Sequence, residues 1–324
     1  MNTAAASHPF PVVRVKGQSL LPRFAWTVVG WNVLVVLWGA VVRATGSGAG
    51  CGNHWPLCNG QVIPQSPQMT TLIEFTHRMM TGGATFAVLG LLVWTFRSTA
   101  RRHLARVAAV ASTLLLLNEA FLGALLVKLG YVVQNQSPGR FIVLPIHLAN
   151  TLLLLAALTL TAHFLSREAG FMRGSVEFSW SGMPGLLVML LVGVTGSLAA
   201  LGDTLFPATS LRDAVAQDFA ASSMWILHYR WTHPALGFAA GLFIIGLLYL
   251  AINRPRHRAL ANTVIGLLLL QYALGLADIA LLAPTWMQII HLLGADLLWI
   301  ALVVLTARLT IVPVGCTEGT CWVK

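Results

Sequence analysis

EFTHRMMTGGATFAVLGLLVW, residues 74–94, and RWTHPALGFAAGLFIIGLLYL, residues 230–250, share one plan: Thr-His near the start and Gly-Leu-Leu near the end fall in register. A second pair repeats the relation, with PIHLANTLLLLAAL from Pro145 lying over IIHLLGADLLWIAL from Ile289, so that His147 falls on His291. LNEAFLG at 117–123 resembles LLQYALG at 269–275, and LWGAVVRATGSG from Leu37 more weakly resembles LVGVTGSLAALG from Leu191. Such internal self-similarity marks a duplicated unit. A bilayer core about 30 Å thick is crossed by roughly 20 apolar residues in a helix. Eight such stretches occur, at about 24–42, 79–96, 107–127, 142–165, 184–201, 234–253, 260–282 and 289–312, four in each copy. Four is even, so both copies cross the membrane in the same sense, as a parallel and not an inverted repeat. The expected fold is an all-α integral membrane protein of eight transmembrane helices, built as two parallel-repeat four-helix bundles. Its parts are a tail (1–23), an N-terminal half (24–165), a linker (166–183), a C-terminal half (184–312) and a second tail (313–324).

Composition agrees. Of 324 residues, 57% are hydrophobic and only 9% charged, with a mean hydropathy of +0.77, too little charge to cover a water-solvated surface. The apolar runs are continuous and do not alternate at period two, which excludes a β-barrel. The connections are short, so the chemistry belongs within or just above the membrane. The first 23 residues lack the short apolar core of a cleavable signal. A net charge of +10 does not point to nucleic acid, because the basic residues sit at helix ends and not on one face. They report topology instead. Fourteen Lys and Arg, among them Arg101, Arg102, Arg254 and Arg256, fall on one side; six (Arg43, Arg78, Lys128, Arg140, Arg212, Arg230) fall on the other. The positive-inside rule then puts both termini in the cytoplasm of a cell whose plasma membrane the chain spans.

Four histidines stand apart from the other six. His77, His147, His233 and His291 open the second, fourth, sixth and eighth stretches, and therefore lie at similar depth near the outer face. Two imidazoles from two helices of one bundle are how such bundles hold a metal or a haem iron. One such histidine alone reads as a hydrogen-bonded interfacial side chain; four at repeated positions read as ligands, since ionisable groups in membranes are costly. Zinc would ask for Cys or carboxylate beside them, which the second half does not offer. The outer segment TGSGAGCGNHWPLCNG (45–60) carries Cys51 and Cys58 around a short turn on the oxidising side, hence a disulfide, either a staple or a redox pair. Cys316 and Cys321, in the inner tail, are expected as free thiols. Glu74 precedes His77 by almost one helical turn and shares its face, whereas the equivalent position in the second half is Arg230. A site that moves protons or stabilises positive charge wants that carboxylate; an electron-transfer site does not. The alternative for Glu74 is an ion pair with Arg78 or Arg43. Glu119, Asp278 and Asp296 are further embedded acids without an assigned role.

GSGAGCGNHWPLCNG, EFTHR and the two IHL segments together resemble the haem A synthase family, over nearly the whole chain. The resemblance implies an oxidoreductase that converts the C8 methyl group of haem O to a formyl group by successive hydroxylations, giving haem A for cytochrome oxidase. It implies a substrate haem near His77 and His147, Glu74 as the catalytic carboxylate, and a resident haem b between His233 and His291. It implies as partners a haem O synthase, cytochrome oxidase assembly and the lipid bilayer, and leaves a homo-oligomer open. The chain departs from the pattern in two places. The outer connection of the second half lacks the second cysteine pair of some members, and Pro234 follows His233 where Arg is frequent. The rival readings are a di-haem cytochrome b that passes electrons from quinol to another acceptor, and a transporter or non-catalytic assembly protein.

Overall fold

Unbroken runs of Leu, Val, Ala and Ile leave the backbone no water to bond in a bilayer, so each run must satisfy its own N–H and C=O groups as a helix. The computed structural model describes residues 20–167, 176–178, 182–252, 255–313, 316–317 and 320–321. Its helices are α1 (Leu20–Ala44), α2 (Met69–Ser98), α3 (Leu104–Lys128), α4 (Pro138–Leu165), α5 (Met183–Leu205), α6 (Leu211–Phe219), α7 (Thr232–Ile252), α8 (Pro255–Ala280) and α9 (Thr285–Thr310). Eight spans are long and apolar enough to cross a membrane, and α6 is not among them. The chain is a multi-pass membrane protein.

Two short antiparallel pairs complete the described backbone: β1 (Val176–Phe178) with β2 (Ile311–Pro313), and β3 (Cys316–Thr317) with β4 (Thr320–Cys321). The thiols expected at Cys316 and Cys321 lie outside the described side chains.

The helices pack in a repeated order. In the first half α1 meets α2 and α4, and α3 closes the ring between α2 and α4; in the second half α5 meets α7 and α9, and α8 closes the ring. The halves meet through α4 against α9, flanked by α1 on α9 and α4 on α5. Burial shows which helices are central: 50% of the most apolar window of α4 and 56% of that of α9 is buried, against 11–28% in the other six spans.

Apolar packing fills the part of each bundle remote from the four histidines. Leu21, Val28, Val88, Leu91 and Leu158 form one cluster in the first half, and Ile244, Leu248, Val264, Leu268 and Leu302 its counterpart in the second. Val33, Leu152, Leu155, Trp299 and Val303 join the halves, with the Trp299 indole donating to the Leu152 carbonyl at 2.7 Å.

Each spanning helix starts before the apolar window read from sequence, whereas α8 and α9 stop two residues short of theirs. The largest extension is at α2, which starts at Met69 and not near residue 79. That extra stretch carries Thr71, Glu74, His77 and Arg78. It remains helical because its polar side chains find partners in the preceding connection.

Candidate functional site

His77, His147, His233 and His291 each sit within the first ten residues of α2, α4, α7 and α9. Each packs against a glycine of a neighbouring helix. An added Cβ would lie 3.2 Å from Cε1 of His77 at Gly39, and 2.8 Å from Cε1 of His233 at Gly196. The corresponding distances are 3.8 Å from Gly123 to His147 and 3.3 Å from Gly275 to His291. Gly39 and Gly196 are therefore seats for a ring, close enough that a larger residue must move it. This pairing sets Gly39 against Gly196, three residues on from the weak register of LWGAVVRATGSG over LVGVTGSLAALG.

The rings of His233 and His291 are 6.2 Å apart, centroid to centroid, with planes at 84°. Two imidazoles bonded to one metal through nitrogens at about 2 Å place their centroids about 6 Å apart, a separation this pair matches. The Nδ1 atoms of His77, His147 and His291 are buried with no hydrogen-bond partner, whereas His233 Nδ1 lies 3.1 Å from the Val192 carbonyl. A buried unpaired imidazole nitrogen is costly unless something else fixes the ring. Among the described residues no three of His, Cys, Asp and Glu gather as a metal cluster. Two imidazoles per half are a donor set suited to haem iron, whose other four ligands come from the macrocycle.

Glu74 belongs to the first half alone. It is 3% exposed, its Oε2 accepts from the Cys51 backbone N–H at 2.8 Å, and its Oε1 pairs with Arg78 at 2.5 Å. Of the two ion-pair partners considered from sequence, Arg78 is the one found. Arg78 also donates to the carbonyls of Leu57 at 2.6 Å and His54 at 3.1 Å. Cys51 and Cys58 are joined by a disulfide and buried, and Thr71 donates to the Gly50 carbonyl at 2.8 Å. About two turns of α2, Thr71 to Arg78, thus carry both His77 and the side chains that hold the disulfide loop.

Arg43 serves a different purpose. From the end of α1 it donates to the Ala200 carbonyl at 2.6 Å, to the Thr204 hydroxyl, and to Gln288 Oε1 at 2.7 Å. It ties the first half to α5 and α9 of the second. In the second half Arg230, standing where Glu74 stands in the first, pairs with Asp203 at 3.0 Å and Asp218 at 2.7 Å.

A model of the COX15-CtaA family, described as cytochrome oxidase assembly protein, matches residues 22–303. A haem A synthase of Bacillus cereus is 30% identical over 239 residues, which are 69% of this chain and 70% of that protein. The chain belongs to the haem A synthase family. Another haem A synthase, from Alkalihalophilus pseudofirmus, is 36% identical over 128 residues, 40% of each chain. A protohaem IX farnesyltransferase of Thermus thermophilus is 43% identical over 291 residues, 89% of this chain but 48% of that protein. The chain thus spans about half the length of that relative. Membership of the haem A synthase family places the chain in haem A biosynthesis, within cytochrome oxidase assembly.

Of the three embedded acids to which the sequence assigns no role, Glu119 gains a partner at one of the four histidines. Glu119 of α3 faces His147 of α4: Oε1 lies 3.4 Å from Nδ1, Asn150 donates to Oε2 at 2.5 Å, and Thr151 donates to Oε1. The signal was present in the repeat, because LNEAFLG places Glu119 over Gln271 of LLQYALG. Only the packing of α3 on α4 shows that this difference falls beside a histidine.

Proposed function

We propose that the chain is a haem A synthase, which oxidises the C8 methyl of haem O to a formyl group by successive hydroxylations. What carries this reading is the unequal furnishing of two like sites. Both halves seat two histidines against glycines, yet only the first adds a buried carboxylate one turn from its histidine and a disulfide loop above it. His77 and His147 hold the substrate haem, and His233 and His291 hold a resident haem b. When bound, haem b would act as a one-electron carrier that passes the electrons of methyl oxidation singly to an external oxidant, with water as the source of the oxygen atom. Haem O is large and lipophilic, so a membrane bundle is its solvent. Glu74 is fixed at both oxygens, by the Cys51 N–H and by Arg78, so its carboxylate cannot swing away from the face of His77. From there it stabilises positive charge developing at the methyl carbon or accepts its proton. The charge bias of the connections puts these sites on the outer side of the plasma membrane, with both termini in the cytoplasm.

Farnesyl transfer, named for the relative from Thermus, is a separate reaction. That protein leaves roughly as many residues unmatched as matched, enough for a second membrane enzyme. The remaining rival is a di-haem cytochrome b.

The test is haem composition. Haem extracted from the purified chain and identified by chromatography and mass is expected to be haem b together with haem O or haem A; two equivalents of haem b alone would favour the cytochrome. Glu74→Gln is expected to keep normal abundance and haem b while accumulating haem O or a hydroxylated intermediate. Wild-type haem A per folded molecule in that variant would end the catalytic assignment and leave Glu74 as half of an ion pair.

A further inference from the structure

We infer that Glu119 is a positioning residue for His147: its carboxylate accepts a hydrogen bond from the Nδ1–H of that ring and leaves Nε2 to bind the substrate haem iron. The neutral Gln271 gives the second half no such acceptor. The inference rests on His77 and His147 as substrate haem ligands.

The geometry on the first-half side is that of an acceptor held ready. Glu119 Oε1 lies 3.4 Å from His147 Nδ1, slightly beyond a formed hydrogen bond, and that buried nitrogen has no other partner. The carboxylate is fixed from behind. Asn150 donates to Oε2 at 2.5 Å and Thr151 to Oε1, while the Asn150 Oδ1 accepts from Asn118 at 2.8 Å. Closing the gap therefore falls to the ring. Of the four rings, that of His147 lies farthest from its glycine, with 3.8 Å to a Cβ built at Gly123 against 2.8–3.3 Å at the other three seats.

The second half lacks the carboxylate. Gln271 turns its amide to the His291 backbone carbonyl, donating at 3.1 Å, and the Nδ1 of His291 has no partner. A carboxylate bonded to the far nitrogen of an axial imidazole fixes its tautomer, makes it a stronger donor and favours the oxidised iron. The two sites, alike in their iron ligands, are thereby ordered, with the first at the lower potential.

The experiment is a potentiometric titration of the full chain, purified with its haem from cells that make haem O and followed by haem absorbance. Two components are expected, and His291→Ala removes the second-half one and so assigns both. Glu119→Gln, which copies Gln271, is expected to raise the midpoint of the first-half component alone and to weaken its haem retention about 10- to 100-fold. Glu119→Asp is expected to bring that midpoint back toward the wild-type value. The reciprocal Gln271→Glu is expected to lower the second-half midpoint. If Glu119 only ties α3 to α4, Glu119→Gln reduces abundance or haem content while the midpoint of the haem that remains stays put. That result overturns the inference alone. If His147→Ala leaves both components intact, the ligand reading fails and the inference falls with it.

Discussion

A Cβ built at Gly196 meets Cε1 of His233 at 2.8 Å, a distance real Cβ atoms do not show, so the ring or the helix must shift. Gly196→Val is therefore expected to displace the ring and to remove most of the b-type absorbance from the purified protein. Gly82→Ala is the control: nothing lies within 4 Å of its added Cβ, and Ala is favoured over Gly in a helix by about 1 kcal/mol. Full b-type absorbance in Gly196→Val would show that His233 does not need this seat. The same scale explains what could be read of Glu74. Its spacing from Arg78, one turn along α2, is legible in sequence. Its bond to the Cys51 N–H is not, because the chain between them turns back through a loop whose path no local propensity dictates.

At the scale of elements, α2 decides the site. Its apolar window predicts a span from about residue 79, but the helix starts at Met69, and the added turns dock the loop that holds Cys51 and Cys58. Thr71, Glu74 and Arg78 project from those turns into that loop, which offers backbone N–H and C=O groups in return. Both sulfurs are buried, Cys51 at 0% and Cys58 at 2% exposure. In intact membranes, a membrane-impermeant maleimide is expected to leave Cys51 and Cys58 unlabelled until a reductant is added, and then to label both from the outer side. Labelling of untreated protein would show free thiols; labelling only after the membrane is opened would reverse the topology. α6 went unforeseen for a simpler reason: nine residues with Arg212, Asp213 and Asp218 fall below any membrane-span threshold.

At the scale of the whole molecule, Arg43 links the halves. Its guanidinium crosses from α1 to α5 and α9, giving three acceptors of the second half a charged donor. Arg43→Ala removes three charge-assisted bonds to partly buried acceptors, each worth about 1.5–3 kcal/mol, although the Ala200 carbonyl keeps the Thr204 hydroxyl as a donor. The thermal midpoint of the detergent-solubilised protein is expected to fall by several degrees, whereas Arg43→Lys, with one point charge and no fork, is expected to fall between the two. An unchanged midpoint in Arg43→Ala would mean that apolar packing of α4 on α9 suffices to hold the halves together.

The eight spans, the internal likeness of the two halves and the positions of the four histidines are legible in the sequence alone. Each is a local signal: the length of an apolar run, a repeated Thr-His or Ile-His-Leu, a polar ring where hydrocarbon should be. The sequence also contained the two asymmetries that matter, Glu74 against Arg230 and Glu119 against Gln271, since a duplicated chain serves as its own comparison. Which side chains meet across helices is fixed by packing in three dimensions. Gly39 and Gly196 are ordinary glycines in apolar runs until a histidine from the next helix rests on them. Glu119 is an unexplained acid in a span until α4 brings Asn150, Thr151 and His147 around it. Periodicity reports which face of a helix is apolar, but the rotation and depth of one helix against its neighbour come from side-chain packing summed over the bundle.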